Sequence, residues 1–322
     1  MTALRERFRD PRWRYARTVA FIALIAFIAF SVLSRLSANY DDLEGQSFIG
    51  GWRGVAATVA FVVAVLVSGV LWRSTVDASA RTEVPLDSAV RANTAAWLLK
   101  YVPGQVGAFA WKAAWGPKVG ISKSQATLAF IYENLFLGIT STIPTIPILL
   151  VGLGSDATTS LGWYLVAGVV VAVAFVGLSM EPVLRRIITT LIRVTKRKVD
   201  PAQLSFIGLG DALRLQLLYT LPRIVNGVGF VVLVGAVYDV GPGDAVVLTA
   251  AYTLAGILGI LAVFVPSGIG VREAVIVIVL SRMMPVEVAA VCAINARIYA
   301  TIADGVLGVG YLVGRERKQA VT

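Results

Sequence analysis

A chain of 322 residues that is 57% hydrophobic and only 15% charged lacks the polar residues a soluble surface needs, and its uncharged runs, Thr18 to Leu33 and Gly54 to Trp72, approach the roughly 20 apolar residues of one bilayer crossing. The formal charge of +10 does not point to nucleic acid, because the basic residues cluster at the ends of apolar runs, which is the pattern of membrane topology. One cysteine, Cys292, and no histidine exclude an internal disulfide, a His- or Cys-based metal site and imidazole acid–base chemistry.

In chain order, residues 1–17 carry six arginines against Glu6 and Asp10, which places this segment in the cytoplasm. The first helix is expected from Thr18 to Leu36. It reads as a retained helix, since no small-residue cleavage site follows its apolar run. The acidic loop "SANYDDLEGQ" suits the outside, and a second helix runs from about Arg53 to Trp72. A loop with Arg73, Arg81 and Arg91 returns inside. The third helix runs from Ser122 to about Leu150, with Pro144 and Pro147 kinking its outer end. After "GLGSDATTS", which has no Lys or Arg and lies outside, a fourth helix covers Leu161 to Ser179.

The segment 181–204 is the main cytoplasmic loop, with six basic residues against two acidic. It reads either as a partly amphipathic surface helix near anionic lipid or as an ordinary topology determinant. A fifth helix (Ala212 to Val237) and a sixth (Ala245 to Val265) follow. A short helix (Ala274 to Met284), a last helix (Glu287 to Gly314) and a basic cytoplasmic tail, 315–322, complete the chain. The expectation is an all-α polytopic membrane protein: one membrane domain over 1–322, eight crossings and both termini cytoplasmic in the cell membrane. No GxxxxGK[ST] loop occurs, so no ATPase is built in.

Two stretches break this apolar pattern. In "KYVPGQVGAFAWKAAWG", a straight span would put Lys100 and Lys112 at hydrocarbon depth, and Pro103-Gly104 would interrupt it midway. It reads instead as a re-entrant hairpin entered from the cytoplasm, a geometry tolerated only where it is buried in protein or lines a wet cavity. The second break, "VPSGIGVREA", gathers Pro266, Gly268, Gly270, Arg272 and Glu273, about half the chain away. Paired Gly/Pro interruptions in the two halves of a membrane chain point to a binding site; whether their relation is parallel or inverted is left open. A broken helix exposes unpaired N–H groups and the positive end of its dipole. Such an end takes phosphate, and nearby Lys or Arg adds charge-assisted hydrogen bonds. On this reading Lys100, Lys112 and Arg272 hold an anion, with Gly104, Gly107, Gly268 and Gly270 allowing close backbone approach. The alternative is that the lysines snorkel to the interface and the glycines pack helices.

Polar residues also recur inside the helices. Glu133 lies eleven residues after Ser122, roughly 16 Å along the helix and near the middle of a core about 30 Å thick. Thr140 shares its face. Gln216, Thr220, Arg223 and Asn226 form one stripe, and Arg297, Thr301 and Asp304 another. Buried charges pair or mark a pathway; a Glu133–Arg223 pair and direct contact with a substrate both remain open. Trp97, Trp111 and Trp115 are expected at the membrane interface.

"KYVPGQVG", "GISKSQA", the helix with Glu133 and above all "PSGIGVREA" resemble the flippase-like membrane domain of lysylphosphatidylglycerol synthases. That family also includes members without a synthase domain. The likeness runs from about the first helix to the C-terminus, with Ser267 in place of the first glycine of the usual Pro-Gly-Gly. It implies movement of a phosphate-headgroup lipid between leaflets, either an anionic or aminoacylated phospholipid or a polyprenyl-phosphate lipid. No cofactor, no metal and no aminoacyl transfer is expected, and a homo-oligomer is left open. Lys100, Lys112 and Arg272 would hold the phosphate, while Glu133, Glu273 and Arg223 would tune the cavity. The rival is a membrane glycosyltransferase using a polyprenyl-linked sugar, with Asp41-Asp42 as its acidic site.

Overall fold

The computed structural model describes residues 51–102, 105–152, 162–194, 204–262 and 266–319, and these are helical apart from short connections. The expected first helix, the Asp41-Asp42 pair and the turn residues Pro103 and Gly104 lie outside the described residues.

The axle is α1, Gly51–Ala80. Its apolar residues are spread around the whole circumference, as suits a helix with protein or lipid on every side. It gives Ala57 and Phe61 to one buried cluster, Leu71 to a second, and Trp72 and Val76 to a third. The expected loop after Trp72 is instead helix. Arg73 pairs with Asp77 one turn on, at 3.3 Å. Asp77 accepts from the Val84 amide at 2.9 Å, so the turn into α2, Leu86–Leu98, is satisfied locally.

A 3₁₀ turn, Leu99–Tyr101, extends α2. α3, Val106–Trp115, follows Gln105, whose φ is +54°. α2 and α3 pack on each other as the two arms of a hairpin. Ser122 caps α4, Lys123–Thr142, by accepting from the Gln125 amide at 3.0 Å. The chain then breaks at Ile143-Pro144 before α5, Thr145–Gly152, where the prolines were expected to interrupt it.

α6 is Gly162–Ser179 and α7 is Glu181–Val194. α7 is amphipathic: Leu184, Ile188 and Ile192 pack on the second cluster, while Arg186 and Arg193 are exposed. The expected fifth helix is two pieces, α8 (Leu209–Leu218) and α9 (Thr220–Val234), divided at Tyr219. That residue is fully buried, with its hydroxyl 3.0 Å from Thr75. α10 is Pro242–Leu261, α11 is Val271–Leu280 and α12 is Val286–Gln319.

Among the described residues, five units are long and apolar enough to cross a membrane: α1, α4 with α5, α8 with α9, α10, and α12. The 18 residues of α6 make a rod of about 27 Å. α2, α3 and α11 have 13, 10 and 10 residues and are each too short to span a core of about 30 Å alone. Each of these three half-length helices borders one of the two sequence breaks, and the full-length α10 borders the second on its other side.

Candidate functional site

The turn Leu99–Tyr101, at the end of the first half-helix, packs against the 3₁₀ turn Pro266–Gly268 of the second break. Beside this meeting lies a cavity of about 150 Å³, room for on the order of ten waters. Lys100 and Gln105 face it from the first break, and Ala262 and Ser267 from the second. Its walls come from α1, α2, α3, α4, α9, α10, α11 and α12.

Four cations line the cavity: Lys100, Lys112, Arg223 and Arg272. They divide into two kinds. Lys112, only 3% exposed, gives hydrogen bonds to both carboxylate oxygens of Glu133, at 2.7 and 2.5 Å, and to Asn93 Oδ1 at 2.8 Å. Its ammonium also lies 3.9 Å from the Trp72 ring centroid. Lys100 pairs with Asp304 at 2.7 Å. The same carboxylate accepts from Trp97 Nε1 at 2.7 Å and from the Tyr101 hydroxyl at 2.6 Å. Neither lysine snorkels; each sits in a pair whose other hydrogen bonds are also made, the condition under which buried charges are tolerated.

The arginines differ. Neither Arg223 nor Arg272 has a carboxylate partner among the described residues. Arg223 Nε is buried with no hydrogen-bond partner. Arg272 runs its stem across Gly259 and rests its guanidinium 5.2 Å from the Tyr252 ring centroid. A ring face leaves the N–H edge of a guanidinium free to bond elsewhere.

The second break owes its shape to glycine. Gly268 has φ +65°, and a Cβ there would stand 2.5 Å from Gly259 Cα. Backbone thus lies on backbone at Gly268, where only glycine fits, whereas a Cβ at Gly259 would clear Gly268 Cα at 3.5 Å and meet the Arg272 stem at 2.6 Å instead. Gly270, φ +86°, gives its amide to Glu273 Oε2 at 2.6 Å, a cap at the start of α11. Glu273 also faces Arg297 Nε at 3.8 Å, and Arg297 donates to the Ser267 carbonyl at 3.3 Å.

The expected site residues fall into three groups. Lys100, Lys112, Glu133, Arg223, Asn226 and Arg272 face the cavity. Gly268, Gly270 and Glu273 build the second break behind it, and Pro266 begins its 3₁₀ turn. Gly107 serves helix packing: a Cβ there would meet the Leu99 carbonyl oxygen and Val102 Cγ2, each at 3.0 Å. Glu133 pairs with Lys112 and not with Arg223, because α3 and α4 bring those two together and Lys112 already occupies both of its oxygens. Of the stripe on α8 and α9, only Arg223 and Asn226 reach the cavity; Gln216 instead bonds the Phe136 carbonyl at 3.3 Å.

Two of the three tryptophans also turn inward, and Trp111 is half-buried. Trp97 holds Asp304, and Trp115 is buried, giving its Nε1 to Ser88 at 3.0 Å. Sequence reasoning missed Asn93 as a cavity residue and the role of Trp97 and Tyr101. A signal existed: Asn93, Trp97 and Lys100 follow the 4-3 spacing of one helix face. Among the described residues, no group of three or more acidic, His or Cys side chains is placed to hold a metal ion.

The sequence model of the family described as "Lysylphosphatidylglycerol synthase TM region" matches residues 16–308, and no curated protein matches the chain.

Proposed function

The chain belongs to the lysylphosphatidylglycerol synthase TM region family, a multi-pass membrane family, and on that premise we propose that it moves a phosphate-headgroup lipid between leaflets as a flippase or scramblase. One observation carries the reading: both broken segments meet at a single cavity whose two arginines have no acidic partner among the described residues. The headgroup enters this wet cavity while its acyl or prenyl chains stay in the bilayer. Arg223 and Arg272 take the phosphate through charge-assisted hydrogen bonds. The paired lysines keep the walls in place. In this scheme α2 and α3 form a re-entrant hairpin, the crossings number eight, and both termini lie on the cytoplasmic side of the cell membrane. With no nucleotide motif in the sequence, net direction comes from a gradient, a partner or removal of product.

The test is translocation of tail-labelled phosphate lipids in proteoliposomes. Each charge-assisted contact contributes about 1.5–3 kcal/mol, so Arg223→Gln with Arg272→Gln should slow flipping at least about tenfold. Asp41→Asn with Asp42→Asn should leave flipping unchanged. The opposite pattern, with retention of a sugar-donor lipid and transfer of its sugar, would overturn transport in favour of a glycosyltransferase.

A further inference from the structure

The charge balance of the cavity narrows the headgroup, an inference that rests on the transport reading. Four cations and two carboxylates, Glu133 and Asp304, line the cavity among the described residues. Just beyond the wall, Arg297 and Glu273 face each other and cancel. Two positive charges therefore remain, both on guanidinium groups. A singly charged guest would leave one of them uncompensated in a site of low dielectric, which is costly. The donor count agrees. A guanidinium binds phosphate best as a fork across two oxygens. A phosphodiester has two unesterified oxygens, enough for one fork. A terminal phosphate has three, and a diphosphate more, so that two forks can be served.

Neither carboxylate is free for a cationic headgroup. Asp304 accepts from Trp97, Lys100 and Tyr101, and both oxygens of Glu133 are taken by Lys112. An aminoacyl ammonium would bring a third positive charge to the arginines with no free carboxylate among the described lining residues to receive it. We propose that the cavity selects a dianionic headgroup, a terminal phosphate monoester or a diphosphate, over a singly charged phosphodiester and over an aminoacylated one.

The full chain in phosphatidylcholine nanodiscs would be titrated with four probes and read by native mass spectrometry. These are phosphatidic acid (a monoester), a polyprenyl diphosphate, phosphatidylglycerol and lysylphosphatidylglycerol. The titration is run at pH 8.5, more than two units above the second pKa of about 6 of a phosphorylated side chain, so that the lipid monoester is dianionic even where the bilayer surface raises that pKa. Phosphatidic acid or the diphosphate should be retained at least about tenfold more tightly than phosphatidylglycerol, a difference of about 1.4 kcal/mol, and lysylphosphatidylglycerol least. Which of the two dianions leads assigns the source. Arg223→Gln should bring dianion and diester within about threefold of each other, roughly 0.6 kcal/mol. Arg272→Lys keeps the charge and should keep the dianion preference while weakening all binding. Equal retention of phosphatidic acid and phosphatidylglycerol, or preference for the lysyl lipid, overturns the dianion inference and leaves transport standing. Retention of none of the four, with no flipping, overturns the transport reading itself.

Discussion

The two broken segments carry the same sequence signature, a proline, two glycines and a cation, yet they are built in different ways. The first is held by side chains: Trp97, Lys100 and Tyr101, all from about one helical turn, end on the single carboxylate of Asp304. The second is held by backbone: Gly268 lies on Gly259, with Arg297 taking the Ser267 carbonyl. Both anchors stand on α12, seven residues apart, about two turns of one face. The difference decides what each break's cation can do. In the first break Lys100 is consumed in the tether. In the second the tether is made by Arg297 and two glycines, so Arg272 stays available to a guest.

The sharpest way to break the comparison is at Gly268. In Gly268→Val a Cβ would meet Gly259 Cα at 2.5 Å and its carbonyl carbon and oxygen at 2.9 Å, at a φ of +65°. Every one of those atoms is backbone, so nothing flexible can yield. The expected cost is on the order of 5 kcal/mol, the exceptional end for one substitution. It would be read as loss of the monodisperse peak in mild detergent. Gly107→Ala, the corresponding change in the first break, meets its neighbours at 3.0 Å. It should cost about 1 kcal/mol, the low end for overpacking.

Next in size is the charge tether. Asp304→Asn leaves Lys100 partly buried without its counter-charge, and removing one partner of such a pair costs roughly 3 kcal/mol or more. The thermal midpoint should fall by several degrees. Lys100→Gln added to Asp304→Asn should restore much of the loss, because the uncompensated charge is gone. No such second-site rescue is available to Gly268→Val, and that contrast separates a break held by charge from one held by shape.

What the sequence made readable was the periodic and the covalent. Length and apolarity placed α1, α10 and α12, and Pro144 marked the break between α4 and α5. The two Pro/Gly clusters marked the ends of the half-helices. Partner choice was not readable. Lys112 and Arg272 look alike in the sequence, each a cation near glycines, and only the packing of α3 against α4 shows that Glu133 neutralises the first and leaves the second. The partner of Trp97 was hidden for a related reason. An indole N–H suits a membrane interface and a buried carboxylate equally well, and the choice for Trp97 depends on Asp304, some two hundred residues away.

The smallest expected effect lies at Arg297, and it tests whether α12 holds the second break as it holds the first. Its contacts are long, 3.3 Å to the Ser267 carbonyl and 3.8 Å to Glu273, so Arg297→Gln should cost only about 1 kcal/mol overall. The local consequence is more telling than the global one. Ser267, φ +54°, would keep its strained backbone while losing the side chain that holds its carbonyl. Hydrogen exchange should therefore rise in residues 266–270 and stay unchanged in residues 97–101. The variant also removes a positive charge next to Glu273, which then faces Arg272's end of α11 uncompensated and should weaken anion retention about as much as it loosens the turn. Faster exchange in both breaks would mean that α12 is one strut serving the two segments together; faster exchange in neither would mean that the glycine contact alone holds the second.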